Sequence, residues 1–210
     1  MRREFRWVWG IVLLFLAGCA TVEVWEIRVV SGVVTDSAGQ PVAGSPVLVA
    51  GRRLELAMPE MAYVERGRRE VRGVTDAAGR YRIEFDAGIL GNNFFLFFHD
   101  EQGFDRVRFA QPDPVEITER LKASRELRIS MVLRPNPAWP EVERQMAYYG
   151  PATDRGKILR RHGLPGRRET ARVGEEALDV WWYPEDGVSY SFSQDRLVST
   201  QNFPPVRGGR

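Results

Sequence analysis

Cysteine and histidine are the scarcest chemically versatile residues of this chain: 210 residues contain one Cys and two His. A single cysteine excludes an internal disulfide and any multi-cysteine zinc site. Two histidines leave few schemes for a metal centre or a catalytic triad, and neither a metal nor another cofactor is expected. An excess of one charge is missing too. Thirty Lys and Arg stand against 28 Asp and Glu, a net charge of +2 that is too small to point to a nucleic-acid partner. With 43% hydrophobic and 28% charged residues, the composition fits neither global disorder nor a polytopic membrane protein. The length allows one or two domains, each with a core of its own.

The apolar run Trp7–Gly18 has 12 residues, short of the roughly 20 that a membrane-spanning helix needs. It follows Arg2, Arg3 and Arg6 and has the proportions of a signal peptide. It ends in Leu16-Ala17-Gly18-Cys19, which resembles the lipobox of bacterial lipoproteins. The resemblance implies a signal at 1–18, cleavage before Cys19 and lipidation of the Cys19 thiol, with 19–24 as a tether. Several acyl chains would anchor the protein durably, since a single chain holds only marginally. Ala20 stands where an Asp would resemble the inner-membrane retention signal. The expected location is therefore the outer membrane, facing the periplasm, with another lipid-anchored envelope site as the alternative. Residues 1–18 carry three Arg and one Glu, so a chain starting at Cys19 holds 27 charges of each sign.

Residues 25–134 read as a first, all-β domain. Trp25, Ile27 and Val29 alternate with Glu26 and Arg28, the period of a half-buried strand. Further strands are expected at 46–50, 70–75, 81–85, 94–99, 106–109, 115–118 and 127–133, punctuated by Gly, Pro, Asp and Asn as in a sandwich. One phrase occurs twice, as Gly32-Val33-Val34-Thr35-Asp36-Ser37-Ala38-Gly39 and as Gly73-Val74-Thr75-Asp76-Ala77-Ala78-Gly79. Each copy suits a strand ending in a turn, with Asp bonding the turn backbone and Gly taking positive φ. Neither has the alternate carboxylates of a calcium loop. Val30 to Asp36, Gly39-Gln40-Pro41-Val42-Ala43-Gly44 and Thr75 to Tyr81 resemble the carboxypeptidase regulatory-like domain. That family implies a transthyretin-like β-sandwich, usually non-catalytic, serving as a spacer or binding surface.

Two stretches of this domain are candidates for function. Residues 52–69, rich in Arg and Glu with Met58, Met61 and Tyr63, read as a long loop, either solvated or a contact surface. Tyr63 is the candidate for an alternative reading, a glycan- or peptide-binding module on the sandwich. His99, Asp100, Glu101 and Asp105 form the one cluster suited to a metal-dependent hydrolase. No nucleophile motif accompanies them, and this reading ranks last.

Arg134-Pro135-Asn136-Pro137 marks a linker at 135–139, since prolines this close do not continue a strand. A second domain follows at 140–205, with a tail at 206–210. Helices are expected from Pro140 to Tyr149, with Val142, Met146 and Tyr149 on one stripe, and from the N-cap Thr153 to the stop Gly163. Strands follow at 169–173, 177–183, 188–193 and 196–200. Helices before a meander imply a small two-layer α+β domain with two helices packed on an antiparallel sheet. Gly163-Leu164-Pro165, Asp179-Val180-Trp181-Trp182-Tyr183 and Tyr190 to Val198 resemble the SmpA/OmlA-like outer-membrane lipoproteins. That family includes an accessory subunit of the β-barrel assembly machinery, although its members are normally little more than this module.

Two surfaces of the second domain could bind. Trp181 and Tyr183, in step with Asp179, are expected on the open sheet face as a partner-contact pair, with Val180 and Trp182 inward. The alternative tucks both under the segment from Asn202 to Val206. Seven bases, among them Arg155, Lys157, Arg160, Arg161, Arg167 and Arg168, stand against the single acid Glu169 between 155 and 172. They form either a solvated face or a contact with an anionic surface. The chain thus reads as a non-catalytic, lipid-anchored envelope protein with a membrane partner and an envelope protein partner.

Overall fold

The computed structural model describes residues 26–206, apart from 60 and 175. The chain is β-rich with several antiparallel sheets and divides into two compact units, 1–104 with 112–132 and 105–111 with 133–210. Among the described residues no helix is long and apolar enough to cross a membrane.

The elements up to residue 133 are β1 (Ile27–Asp36), β2 (Pro46–Ala57), β3 (Ala62–Val74), β4 (Arg80–Asp86), α1 (Ala87–Leu90), β5 (Asn93–Phe97), β6 (Val115–Glu116), α2 (Thr118–Ala123), β7 (Glu126–Arg128) and β8 (Met131–Leu133). One sheet has the order β4-β1-β7, with β8 also on β1, and the other the order β3-β2-β5-β6. Tyr81, Ile83 and Phe85 turn inward along β4 as their period demands. Across the core Tyr81 meets Phe98 edge-on at 5.8 Å and Phe85 meets Phe94 at 6.0 Å. Each such aromatic pair adds about 1 kcal/mol beyond the area it buries.

The repeated phrase builds two matching turns. Asp36 Oδ1 accepts from the amides of Ala38 and Gln40 at 3.0 and 2.9 Å. Asp76 Oδ1 accepts from those of Ala78 and Arg80 at 2.9 and 2.8 Å. Gly39 and Gly79 close them at φ of 76° and 71°, a region costly for residues with a Cβ. The surroundings differ. A Cβ on Gly79 would lie 2.5 Å from the Val34 carbonyl oxygen, whereas one on Gly39 would meet nothing within 4 Å.

Several expectations are corrected here. At the start of β1 the parity is reversed: Ile27 is exposed and Arg28 buried. Arg28 lies 2.5 Å from Glu26, which Arg125 also grips, so ion pairing rather than apolarity decides which side chain goes in. The stretch 52–69 is not a loop but the outer arm of a long hairpin, β2 with β3, paired as far as Ala57↔Ala62. The segment 106–109 is a turn with a single bridge, Phe109↔Pro135, and belongs to the second unit. The segment 127–133 is two strands rather than one. Between them the Ile129 amide donates to Ser31, and the Ile129 oxygen comes so close to Gly32 that a Cβ there would lie 1.8 Å away.

The second unit begins before the expected 140–205, at 133, and takes in 105–111 as well. It holds α3 (Trp139–Tyr149), α4 (Asp154–His162), β9 (Arg167–Val173), β10 (Glu176–Tyr183), β11 (Val188–Ser193) and β12 (Arg196–Asn202). The sheet is an antiparallel meander in the order β12-β11-β10-β9. Thr153 caps α4 by accepting from the Gly156 amide at 3.1 Å, and Gly163 ends it at φ 78°. Val142, Ile158 and Leu159 are buried with Trp181, Tyr183, Tyr190 and Phe192, and Met146 and Tyr149 pack against them. Val107, from the segment 105–111, joins the same core. The linker expected at 135–139 is tied down rather than free, since Asn136 donates to the Arg108 and Arg106 carbonyls at 2.9 and 2.8 Å.

Candidate functional site

A cleft of about 540 Å³ opens in the second unit between the 105–107 turn, the helices and the β10–β11 turn. Its floor is apolar, formed by Val107, Val142 and Leu164. One side is a chain of polar groups. Tyr190 Oη lies 2.9 Å from His162 Nε2, and His162 Nδ1 lies 2.7 Å from Asp186 Oδ2. Arg106 donates to the other oxygen of Asp186. The carboxylate can only accept, which puts a proton on Nδ1; in the neutral ring Nε2 then accepts from the phenol. His162 therefore commits both ring nitrogens to protein partners. It is also flanked by the rings of Tyr183 and Tyr190 at 5.1 and 5.5 Å.

Burial pushes the Asp186 carboxyl upward, but the hydrogen bonds from His162 and Arg106 outweigh it and hold the group below the usual carboxylate value. Burial raises the phenol of Tyr190, which favours its role as a donor. Tyr183 is raised by burial as well and donates to the Gly163 carbonyl at 3.2 Å. The arrangement suits an apolar group laid on the floor, with the largely exposed Arg106 guanidinium at the rim for an acceptor.

The sequence reading did not single out Arg106, His162, Asp186 or Tyr190. They come from a turn, a helix end, a hairpin turn and a strand, and no spacing rule connects them. The only available signal was the rarity of histidine.

Trp181 and Tyr183 are not a surface pair, a correction of the sequence reading. Both are buried, Trp181 with no exposed surface. Trp181 pairs across the sheet with Tyr190 and Tyr183 with Val188, so they share the apolar face that the helices cover. Asp179 misled the parity argument because it too lies on that face, opposite Phe192. Its carboxylate is satisfied there by Arg155 at 2.5 Å and by Trp181 Nε1 at 2.9 Å. Trp182, on the other face, stacks on Phe203 of the tail at 5.6 Å.

Arg155 likewise leaves the expected anionic-surface set, because it is buried. Its guanidinium carbon sits 4.3 to 5.0 Å from the ring centres of Phe192, Trp181 and Tyr149. Its Nε lies 2.9 Å from Asp195, in poor alignment for a hydrogen bond. Such a cation is held by rings and carboxylates together. Lys157, Arg160, Arg161, Arg167 and Arg168 are exposed. Of these, Arg160 lies over Trp139, Arg167 pairs with Glu169, and Arg168 covers the Trp181 ring while bonding Gln145.

In the first unit His99 lies between the rings of Phe97 and Phe104 at 5.7 and 6.0 Å, and burial lowers its pKa against the pull of Asp100. Asp100 accepts from the Gln102 and Gly103 amides, and Asp105 from that of Arg108, so both shape turns. Tyr63 stands out on the hairpin arm. Leu16, Ala17, Gly18 and Cys19 lie outside the described residues.

No protein-family model matches the chain, and no curated protein matches it. Among solved structures, (S)-allantoin synthase is 16% identical over 59% of this chain and 45% of its own, with a TM-score of 0.32. Catechol 1,2-dioxygenase from Pseudomonas arvilla C-1 is 14% identical over 58% of this chain and 55% of its own, with a TM-score of 0.26. The chain thus spans about half the length of each.

Proposed function

We propose that this is a non-catalytic, lipid-anchored cell-envelope protein in which two modules hold or bind envelope partners. The observation that carries the reading is the single cysteine at the end of Leu16-Ala17-Gly18-Cys19, behind a basic start and a 12-residue apolar run. On this reading the first module is a transthyretin-like β-sandwich of the carboxypeptidase regulatory-like kind. Two four-stranded sheets with facing rings support that. The second is a two-layer α+β module of the SmpA/OmlA-like kind, supported by two helices covering an antiparallel meander.

The cleft beside Arg106 and His162 is the place where the second module takes a short apolar segment of a partner. The apolar floor of Val107, Val142 and Leu164, with the exposed Arg106 at the rim, supports that reading. The test of the anchor is metabolic labelling with an alkyne fatty acid in a Gram-negative host. The full chain takes the label and fractionates with outer membranes, and Cys19→Ala loses the label. An unlabelled wild-type chain, or a labelled Cys19→Ala chain, refutes the anchor.

A further inference from the structure

The hairpin arm is costly as it stands. β2 pairs with β5 only as far as Arg52↔Asn93, and beyond that point its one partner among the described residues is β3. Asn92 closes the ladder, accepting from the Leu54 amide at 2.9 Å and donating to the Leu54 carbonyl at 2.8 Å. Farther out, a two-stranded ribbon has water on both faces, an arrangement that is marginal on its own. Yet its outer part carries Leu56, Met58, Met61, Tyr63 and Val64, with Met58, Met61 and Tyr63 exposed to 71%, 64% and 74%. Apolar clusters this open mark an interaction surface.

The position of the arm in the first unit says what covers it. Glu26 is the first described residue, just before β1, and the Ala87 amide of α1 donates to its carbonyl at 3.3 Å. The same short helix meets the root of the ribbon, since the Gly88 carbonyl accepts from Arg53 and Leu90 packs against Gly51. The ribbon therefore leaves from the end of the unit at which β1 begins, and it points past that end. Cys19 is seven residues before Glu26, a reach of at most about 25 Å. From Leu54 to Met58 the ribbon extends about 13 Å.

Charge agrees with this placement. Arg52 with Glu65 and Arg66 with Glu55 form cross-strand pairs at 3.7 and 3.6 Å. Arg53, Arg68 and Arg69 have no carboxylate partner among the described residues, against one further acid in the arm, Glu60 between β2 and β3, which leaves net positive charge behind Met58, Met61 and Tyr63. A lipid surface with anionic headgroups fits both features: apolar tip into the interface, guanidinium groups at headgroup level.

We propose that the tip of the β2–β3 ribbon inserts into the membrane that holds the Cys19 lipid, giving the first unit a second, protein-made foothold with Arg53, Arg68 and Arg69 on anionic headgroups. The proposal rests on the lipidation of Cys19 proposed above. With Cys19 acylated, Met61→Cys supplies the only free thiol for an environment-sensitive dye on the full-length lipidated chain. Ala38→Cys, in the turn at the opposite end of β1, is the control. In vesicles of phosphatidylcholine with phosphatidylglycerol, the dye at 61 shifts to the blue. Acyl-chain spin labels quench it several-fold more than the dye at 38. Replacing Arg53, Arg68 and Arg69 by Gln removes the dependence on phosphatidylglycerol. Equal quenching at 61 and 38 overturns the proposal. So does a blue shift that grows with protein concentration without lipid quenching, because a second copy would then cover the tip. Dye uptake by the wild-type chain reports an unacylated Cys19 and overturns the anchor and the foothold together, whereas the other two outcomes leave the anchor standing.

Discussion

Replacing Trp181 by Ala separates a surface tryptophan from a core one. A side chain acting as an exposed partner contact costs within about 0.5 kcal/mol when removed. The structure points elsewhere. Trp181 is fully buried, with Phe192 at 4.9 Å and Tyr149 at 5.6 Å, and its Nε1–H satisfies Asp179. Removing such a ring costs about 3–5 kcal/mol through lost burial and the cavity left behind. Asp179 also loses a donor, and Arg155 and Arg168 each lose a ring to rest on. In a unit of this size each kcal/mol moves Tm by roughly 4–8 °C, so Trp181→Ala melts the second unit well below the wild type. Trp181→Phe keeps most of the packing, loses the hydrogen bond, and costs about 1–2 kcal/mol. The assay is urea unfolding of the full chain, followed by near-ultraviolet circular dichroism and tryptophan fluorescence. A loss below about 1 kcal/mol in Trp181→Ala refutes the packing argument.

Other consequences follow from the same geometry. Gly39→Ala and Gly79→Ala both force a positive φ, at about 1–2 kcal/mol. Only Gly79→Ala also drives a Cβ against the Val34 carbonyl, so thermal melting shows it as clearly the worse of the twin substitutions. Gly32→Ala, aimed at the Ile129 carbonyl, abolishes soluble expression of the full chain. Arg155→Met removes the buried cation from Asp179 and from the rings of Phe192, Trp181 and Tyr149 and costs about 1–2 kcal/mol, the carboxylates left behind being partly solvated, while Arg161→Met on the exposed face is nearly silent; equal denaturation midpoints would contradict the assignment. Asp186 has a folded pKa below its unfolded value of about 3.9. Its stabilisation is present above pH of about 4 and is lost as pH falls through the folded value. The stability gap between wild type and Asp186→Asn therefore narrows in acid, and a gap independent of pH argues against the Asp186 hydrogen bonds.

The second unit was legible because its signals are local. Thr153, Gly163, Pro140 and the apolar stripe of α3 sit where capping and periodicity put them. The twin Asp–Gly turns were equally readable, since a side chain bonding its own backbone depends on nothing distant. Parity failed where a polar residue is buried with a partner. Arg28 with Glu26, and Asp179 with Arg155, each sit where period alone puts an apolar neighbour. Along the arm at 52–69 the charges hide the alternation through which β2 and β3 nevertheless pair, so composition alone points there to a loop.

The sequence by itself determined the local grammar: the Asp–Gly turns, the helix caps and most of the strands. Those features rest on neighbours a few residues apart. Only the tertiary structure decided which faces are covered, that 105–111 crosses to the second unit's core, and that Arg106, His162 and Asp186 meet at one cleft with Tyr190 bonded behind them. A face becomes interior or exterior through what packs on it, and a cluster drawn from four separate elements forms only when the chain closes on itself.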